Sequence, residues 1–458
     1  MKPKTTLTLL GLLAVLGLFY YFWGVKGAAE REQQEQIASR IINIEPDSVS
    51  RVTLTQGENI LQYERIGGQW KITEPVETGA NQSRINTNLD VLTSVEKNRT
   101  VATDLTDLQP YGLDSPSAKV QIVYNDTGST TLLVGDQNPT QSGTFVKLTD
   151  APGIYTTANA VRTQAQKTLF ELRDKTILDF ERSNITKFIV SRDDGRDLTF
   201  NKSGSMWRLD EPQIRVNSSK VTGLLSSVDN GTAQEYYEES PENLREYGLN
   251  NPQASLSVFS NDSTRDAVLA VGDQVPNSDP LQYYVRDLSR PMVFSVTSTI
   301  VDDFFDSVFE FQDKKLFEMN RNQVTDVEII WNDTTYQVTK IDTTWQLNSP
   351  VVAPANGKWA TTIARTISNL RMDSLGSYTN TNPARYGLDD PWLRMRFNIA
   401  GSEFDGLTVG DETGERFRYI KMDSSPYIYV IRESKLSAFQ VSLDELRAKS
   451  ADMTLESE

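Results

Sequence analysis

Cysteine and histidine are both absent from the 458 residues. Without cysteine there are no disulfides, no thiolate metal sites and no thiol nucleophile, and no residue to carry a lipoprotein's lipid. Without histidine the commonest general base and the commonest transition-metal ligand are missing. Ser-His-Asp, Cys-His and His-zinc chemistry are thereby excluded, and only carboxylate, Lys, Tyr or Ser-Lys chemistry is left. Basic charge is also short. Forty-six Lys and Arg face 62 Asp and Glu, a net charge of −16. Nucleic-acid binding exchanges a basic surface for counterions, and this composition supplies none. Phosphate-cradling loops of the G-x-x-x-x-G-K-[ST] or G-x-G-x-x-G kind do not occur.

Long apolar runs are scarce too, with one exception. Residues 5–25 carry Leu7-Thr8-Leu9-Leu10 through Phe19-Tyr20-Tyr21-Phe22-Trp23 without a charge. About 20 apolar residues suffice to cross a bilayer as a helix. The aromatic cluster Phe19 to Trp23 would lie at the far interface. Lys2 and Lys4 precede the run and Glu30-Arg31-Glu32 follows it. This favours a membrane anchor over residues 1–25, a cytoplasmic N-terminus and an exported body. A cleaved signal peptide ending near Ala28-Ala29 is the competing reading, although the run exceeds the usual signal core of about 7–15 residues.

What the chain does have is repetition. Tyr-Gly-Leu occurs at Tyr111, Tyr247 and Tyr386, 136 and 139 residues apart (247 − 111 and 386 − 247), each followed by Pro116, Pro252 or Pro391. Trp70, Trp207 and Trp345 keep the same period. So do Val134-Gly135-Asp136-Gln137, Val271-Gly272-Asp273-Gln274 and Val409-Gly410-Asp411-Glu412. The block ending Arg173-Asp174-Lys175 matches those ending Gln312-Asp313-Lys314 and Arg447-Ala448-Lys449. Such a period is too long for a solenoid repeat and fits whole domains. The expected organisation is an anchor (1–25), a polar stalk (26–40), three modules (41–174, 175–313 and 314–449) and an acidic tail (450–458). Linkers of a few residues imply a semi-rigid row.

Each module opens with alternating strands, in the second copy Ile185 to Val190, Asp197 to Phe200 and Met206 to Leu209. A helix follows, with one apolar face formed by Ile85, Leu89 and Leu92, by Val221, Leu224, Leu225 and Val228, or by Ile363, Ile367 and Leu370. After the Tyr-Gly-Leu loop come four more short strands. A closing helix carries Leu169 and Leu172, Val308 and Phe311, or Leu443 and Leu446. The predicted fold class is α+β, three tandem modules of mostly antiparallel sheet with two helices each.

Each motif has a structural and a functional reading. Tyr-Gly-Leu-(Asp/Asn)-x-Pro is turn chemistry, or else a set of three ligand loops. The Val-Gly-Asp carboxylate is a turn-stabilising group, or else a cation ligand, although one Asp per module falls short of a calcium ligand set. The repeated Trp fills the core beneath the helix, or else offers a sugar-stacking platform. Asp302-Asp303 and Asp389-Asp390 are adjacent pairs that do not face one another and do not recur in every module, and they read as solvated charge. No catalytic, cofactor or metal residue is assigned, and no enzyme activity is expected.

On the Tyr-Gly-Leu-Asp-x-Pro loop and the Val-Gly-Asp strand end, residues 41–449 resemble a bacterial domain family of unknown function (DUF4340-like). The resemblance implies an N-terminal membrane span and genes beside gliding-type ABC transporter components. An ABC transporter permease or auxiliary subunit is then the implied partner. Asn250 and Glu412 depart from the family pattern, which a turn tolerates better than a metal site would. The function expected is a single-pass inner-membrane protein with a periplasmic body, acting as a structural or interaction accessory to an envelope or ABC-transport assembly. The alternative is a periplasmic glycan- or peptidoglycan-binding protein using three modules for avidity.

Overall fold

A computed structural model describes Tyr20 and residues 39–447, apart from 104–106, 126, 261–264, 380–381 and 400–404. The expected anchor (Tyr20 aside), most of the stalk and the acidic tail lie outside the described residues. Among the described residues no helix is long and apolar enough to cross a membrane.

The first copy sets the pattern. A meander of β2 (Val49–Gln56), β3 (Asn59–Ile66), β4 (Gln69–Glu74) and β5 (Thr78–Gly79) leads into α1 (Gln82–Leu92). Then follow β7 (Arg99–Ala102), β8 (Ala118–Tyr124), β9 (Gly128–Gln137), β10 (Thr144–Leu148) and β11 (Ile154–Thr157). The short β1 (Arg40–Asn43) and β6 (Ser94–Glu96) pair separately. The main sheet is antiparallel, in the order β5-β4-β3-β2-β8-β9-β10-β11-β7. Two meanders thus run outward from a central β2–β8 seam, where Val52 faces Ile122 and Leu54 faces Val120. All four are fully buried. The same nine-strand order recurs in the second and third copies, so the antiparallel α+β modules expected from the repeats are present.

The helix is placed by its cap and one face. The Asn81 side chain accepts a hydrogen bond from the Arg84 amide, and Ile85, Asn88, Leu89 and Leu92 are buried. Asn217 and Asn356 cap the counterparts Ser218–Asp229 and Gly357–Asn369. A cap satisfies amides that the first turn leaves unpaired. In the first copy the buried Asn88 also accepts a hydrogen bond from the Tyr63 hydroxyl at 2.5 Å and donates to the Gln164 carbonyl at 2.8 Å. This ties helix, sheet and the following segment together.

The closing helix expected at Leu169 and Leu172, and at the matched positions of the other copies, is present, and a further short helical segment precedes it, so each module has more than the two helices expected. The first copy has α2 (Asn159–Ala165) and α3 (Leu169–Leu172). Thr168 forms a capping box with Glu171, which starts a new helix instead of continuing the old one. The second copy has Ser298–Val301 and Val308–Phe311. In the third, a 3-10 turn at Glu433–Phe439 precedes Leu443–Leu446.

Packing groups the chain into two compact units. One holds the first copy with residues 232–241 and 292–295. The other holds 177–231, 242–291 and the residues from 296 onward.

Candidate functional site

The two recurrent glycine motifs form one contact in every copy. Gly112, Gly248 and Gly387 close 3-10 turns at φ of 64°, 68° and 64°, a left-handed geometry natural to glycine. A Cβ on any of them would come within 3 Å of the carboxylate of Asp136, Asp273 or Asp411. In return Gly135, Gly272 and Gly410 lie against the carbonyl oxygens of Tyr111, Tyr247 and Tyr386, again with no room for a Cβ. The motif tyrosines then pack edge-to-face on Phe145, Tyr284 and Tyr419, with centroids 5.0, 5.1 and 4.9 Å apart. Turn chemistry is legible from either motif alone. Their interlocking is not, because it joins segments that touch only in the folded sheet. The Asp side chains face solvent, and no group of three or more acidic residues able to hold a metal occurs among the described residues.

The repeated tryptophans belong to the core. Trp70 is 3% exposed and packs edge-on to Tyr63 at 5.5 Å, and Trp207 is 7% exposed against Phe188 at 5.1 Å. Trp345 is half-buried and packs on the third core. An aromatic platform would need an open ring face, which the first two do not offer. Asp389 and Asp390 are exposed, as solvated charge should be. Asp303 is not: with Asp306 it holds the Lys220 ammonium, which lies 2.6 Å from Asp306. Burial pulls the Lys220 pKa down, but the hydrogen bonds and charges of both carboxylates outweigh it and leave it above the usual lysine value.

The most distinctive polar chemistry lies where each copy ends, at positions the sequence aligns without assigning them a role. In the first unit Arg173 is 2% exposed. Its guanidinium takes both oxygens of Glu239, at 2.5 and 3.1 Å, and lies 3.5 Å from the Tyr236 ring centroid. The segment carrying these partners is zipped to the linker. Thr176 bridges Thr232, the Ala233 amide donates to the Lys175 carbonyl, and the Tyr236 hydroxyl donates to the Asp174 carbonyl.

In the second unit the matching place is Gln312, 5% exposed. Here the Met372 amide donates to the Lys314 carbonyl, as Ala233 does to Lys175. The Tyr378 hydroxyl donates to the Gln312 side-chain oxygen at 2.6 Å, and the Gln312 side-chain nitrogen donates to the Tyr429 hydroxyl at 2.8 Å. Strand registers place Tyr378 where Glu239 stands, and Tyr429 where Phe294 stands. One seam is therefore an ion pair stacked on an aromatic ring, and the other a neutral amide between two phenols. A cleft of about 350 Å³ opens beside the second seam, lined by Gln312, Tyr427, Tyr429, Ser425, Lys315 and Arg215. Arg215 is held there by the Lys315 carbonyl at 2.8 Å and by Glu318 at 3.1 Å.

Burial raises the Tyr378 phenol above its ordinary value, and the neighbouring Tyr429 and Tyr427 add to the effect. Burial also raises Tyr429, against hydrogen bonds from Gln312 and Ser425 that pull it down. At neutral pH both phenols stay protonated and are engaged as hydrogen-bond partners of Gln312. The raised values also set an alkaline limit. The unfolded phenols release their protons near the ordinary tyrosine pKa of about 10, while the folded ones still hold theirs. The seam's contribution is thus complete below that pH and is lost as pH rises through the folded values. Tyr378→Phe is expected to flatten the loss of stability above about pH 10. Denaturant melts of wild type and variant on either side of about pH 10 check this, and identical alkaline slopes would remove Tyr378 as a cause.

A family model described as "Domain of unknown function (DUF4340)" matches this chain over residues 70–213, 207–344 and 345–451. Each match begins on or beside the strand of the repeated tryptophan. No curated protein matches the chain.

Proposed function

The chain belongs to the DUF4340 family, whose description assigns no activity, and from that premise we propose a membrane-anchored extracytoplasmic protein with a structural or interaction role, an accessory to an envelope or ABC-transport assembly. The observation that carries this reading is how the repeated residues are used. The motif glycines and tyrosines are spent on the interlock in all three copies. The buried polar residues at the ends of the first two copies are spent on neighbouring segments. Seams of different chemistry discriminate between neighbours, since a carboxylate set against Gln312 or a phenol set against Arg173 leaves polar groups unmatched. The charge-free run at residues 5–25 supports the anchor, and Lys2 and Lys4 before it support a cytoplasmic N-terminus.

Crosslinking in intact membranes, gentle solubilisation and mass spectrometry test the role. An envelope or transport component is expected among the crosslinked species, and recovery of none would overturn the assignment. A reporter fused after Glu458 tests topology separately: it should be active only outside the cytoplasm, and cytoplasmic activity would refute the exported body.

A further inference from the structure

Arg447 holds in the third copy the place of Arg173 and Gln312. Each residue follows the short last helix, and each bridges the residue before the main helix cap, namely Ala80, Val216 or Ala355. The capping asparagines repeat the match. The amides of Asn81, Asn217 and Asn356 donate to the carbonyls of Leu172, Phe311 and Leu446 at 2.8, 2.7 and 2.8 Å. Among the described residues the covering differs. Arg173 and Gln312 are buried under a segment that follows a main helix, whereas Arg447 is exposed.

We propose that the Arg447 end of the third copy is a socket for a sheet-edge segment of a partner protein, one carrying an aromatic residue and a carboxylate three positions later. The chain itself shows what such a place accepts. Arginine takes the pattern Tyr236-x-x-Glu239, stacking on the ring and gripping the carboxylate with both arms. Glutamine takes two phenol hydroxyls instead. By residue type Arg447 belongs with Arg173. A second copy of this chain does not meet the requirement with its first sheet. There β7 holds the place of the covering strand, and Thr100 and Thr103 stand where Tyr236 and Glu239 do. Asp444 replaces Phe170, whose ring is set edge-on to that of Tyr236 with centroids 6.3 Å apart. The incoming aromatic residue therefore gains less, and the carboxylate carries most of the selection. The socket rests on the interaction role proposed above and names its partner's chemistry.

The probe is a synthetic peptide of residues 234–241, whose Tyr236 and Glu239 cover Arg173 in the first unit. The absence of cysteine lets a single Lys358→Cys in the full chain carry a fluorophore close to Ala355 and Arg447. Saturable binding is expected, weakened about tenfold or more by Arg447→Ala and equally by Glu239→Gln in the peptide. Arg447→Lys should recover only part of it, because an ammonium lacks the two-armed grip. No saturable binding, or binding indifferent to Arg447→Ala, would overturn the socket. So would self-association of the chain that Arg447→Ala abolishes, since that assigns the surface to a second copy. The assay contains no membrane, so its failure stands apart from failure of the crosslinking experiment.

Discussion

Gly410→Ala is expected to destabilise the third sheet by about 3 kcal/mol, with Gly135→Ala and Gly272→Ala doing the same in their own sheets. A methyl group at any of these positions would sit on a tyrosine carbonyl oxygen of the Tyr-Gly-Leu turn. That oxygen is backbone, so relief requires the turn to move, and the turn is pinned. Its left-handed glycine lies against the Asp of the same strand end, and its tyrosine ring lies against the next strand. Overpacking of this kind typically costs about 1–3 kcal/mol, and a site unable to collapse sits at the upper end. Gly223 is the control. It lies in the helix Ser218–Asp229, and a Cβ added there would meet nothing within 4 Å. Gly223→Ala should therefore be neutral or stabilise by up to about 1 kcal/mol. Denaturant midpoints together with hydrogen exchange of the strands around each site check the pair. Equal effects at Gly410 and Gly223 would refute the interlock.

How much of this is legible in sequence depends on whether an interaction is local. The strand meanders, the main helix with its Ile85, Leu89 and Leu92 face, and the order of elements follow from alternation and helical spacing, and the threefold repeat cross-checks each of them. The break between α2 and α3 is legible in principle, since Thr168 and Glu171 have capping-box spacing, but apolar periodicity alone runs through it. The interlock is half legible. Each motif names its turn, yet nothing local says that Gly112 meets Asp136. The seams are the least legible. Arg173 and Gln312 fall in an aligned block, but their partners Glu239 and Tyr378 each lie 66 residues further along. The substitution of Arg by Gln reads as drift until the partners are seen to change with it. Paired change at matched positions is the available signal, and only the fold says which positions are matched.

Glu239→Ala is expected to cost about 3 kcal/mol, well beyond the loss from an exposed ion pair, because it strands a cation that water reaches poorly. Arg173 is 2% exposed, and its Nε has no hydrogen-bond partner even in the intact seam. What remains after the substitution is the Tyr236 ring at 3.5 Å and a long hydrogen bond to Thr78 at 3.4 Å. The Glu239 side chain is about one-third exposed, which places the effect at the lower end of the range of about 3–5 kcal/mol for breaking buried pairs. Arg173→Ala should cost less, since the abandoned carboxylate can turn toward water. The asymmetry separates a seam that depends on matching from a merely favourable contact, and a converted seam tests it further. Gln312→Arg alone should destabilise the second seam by setting a guanidinium against Tyr378 and Tyr429 with no carboxylate. Gln312→Arg with Tyr378→Glu should recover part of the loss by restoring the ion pair, without the ring stacking, because Leu375 stands where Tyr236 does. A double-mutant cycle on chemical denaturation gives the coupling directly. An additive result would mean that the introduced guanidinium and carboxylate gain nothing from being matched, and that neighbour choice in this chain does not rest on such pairing.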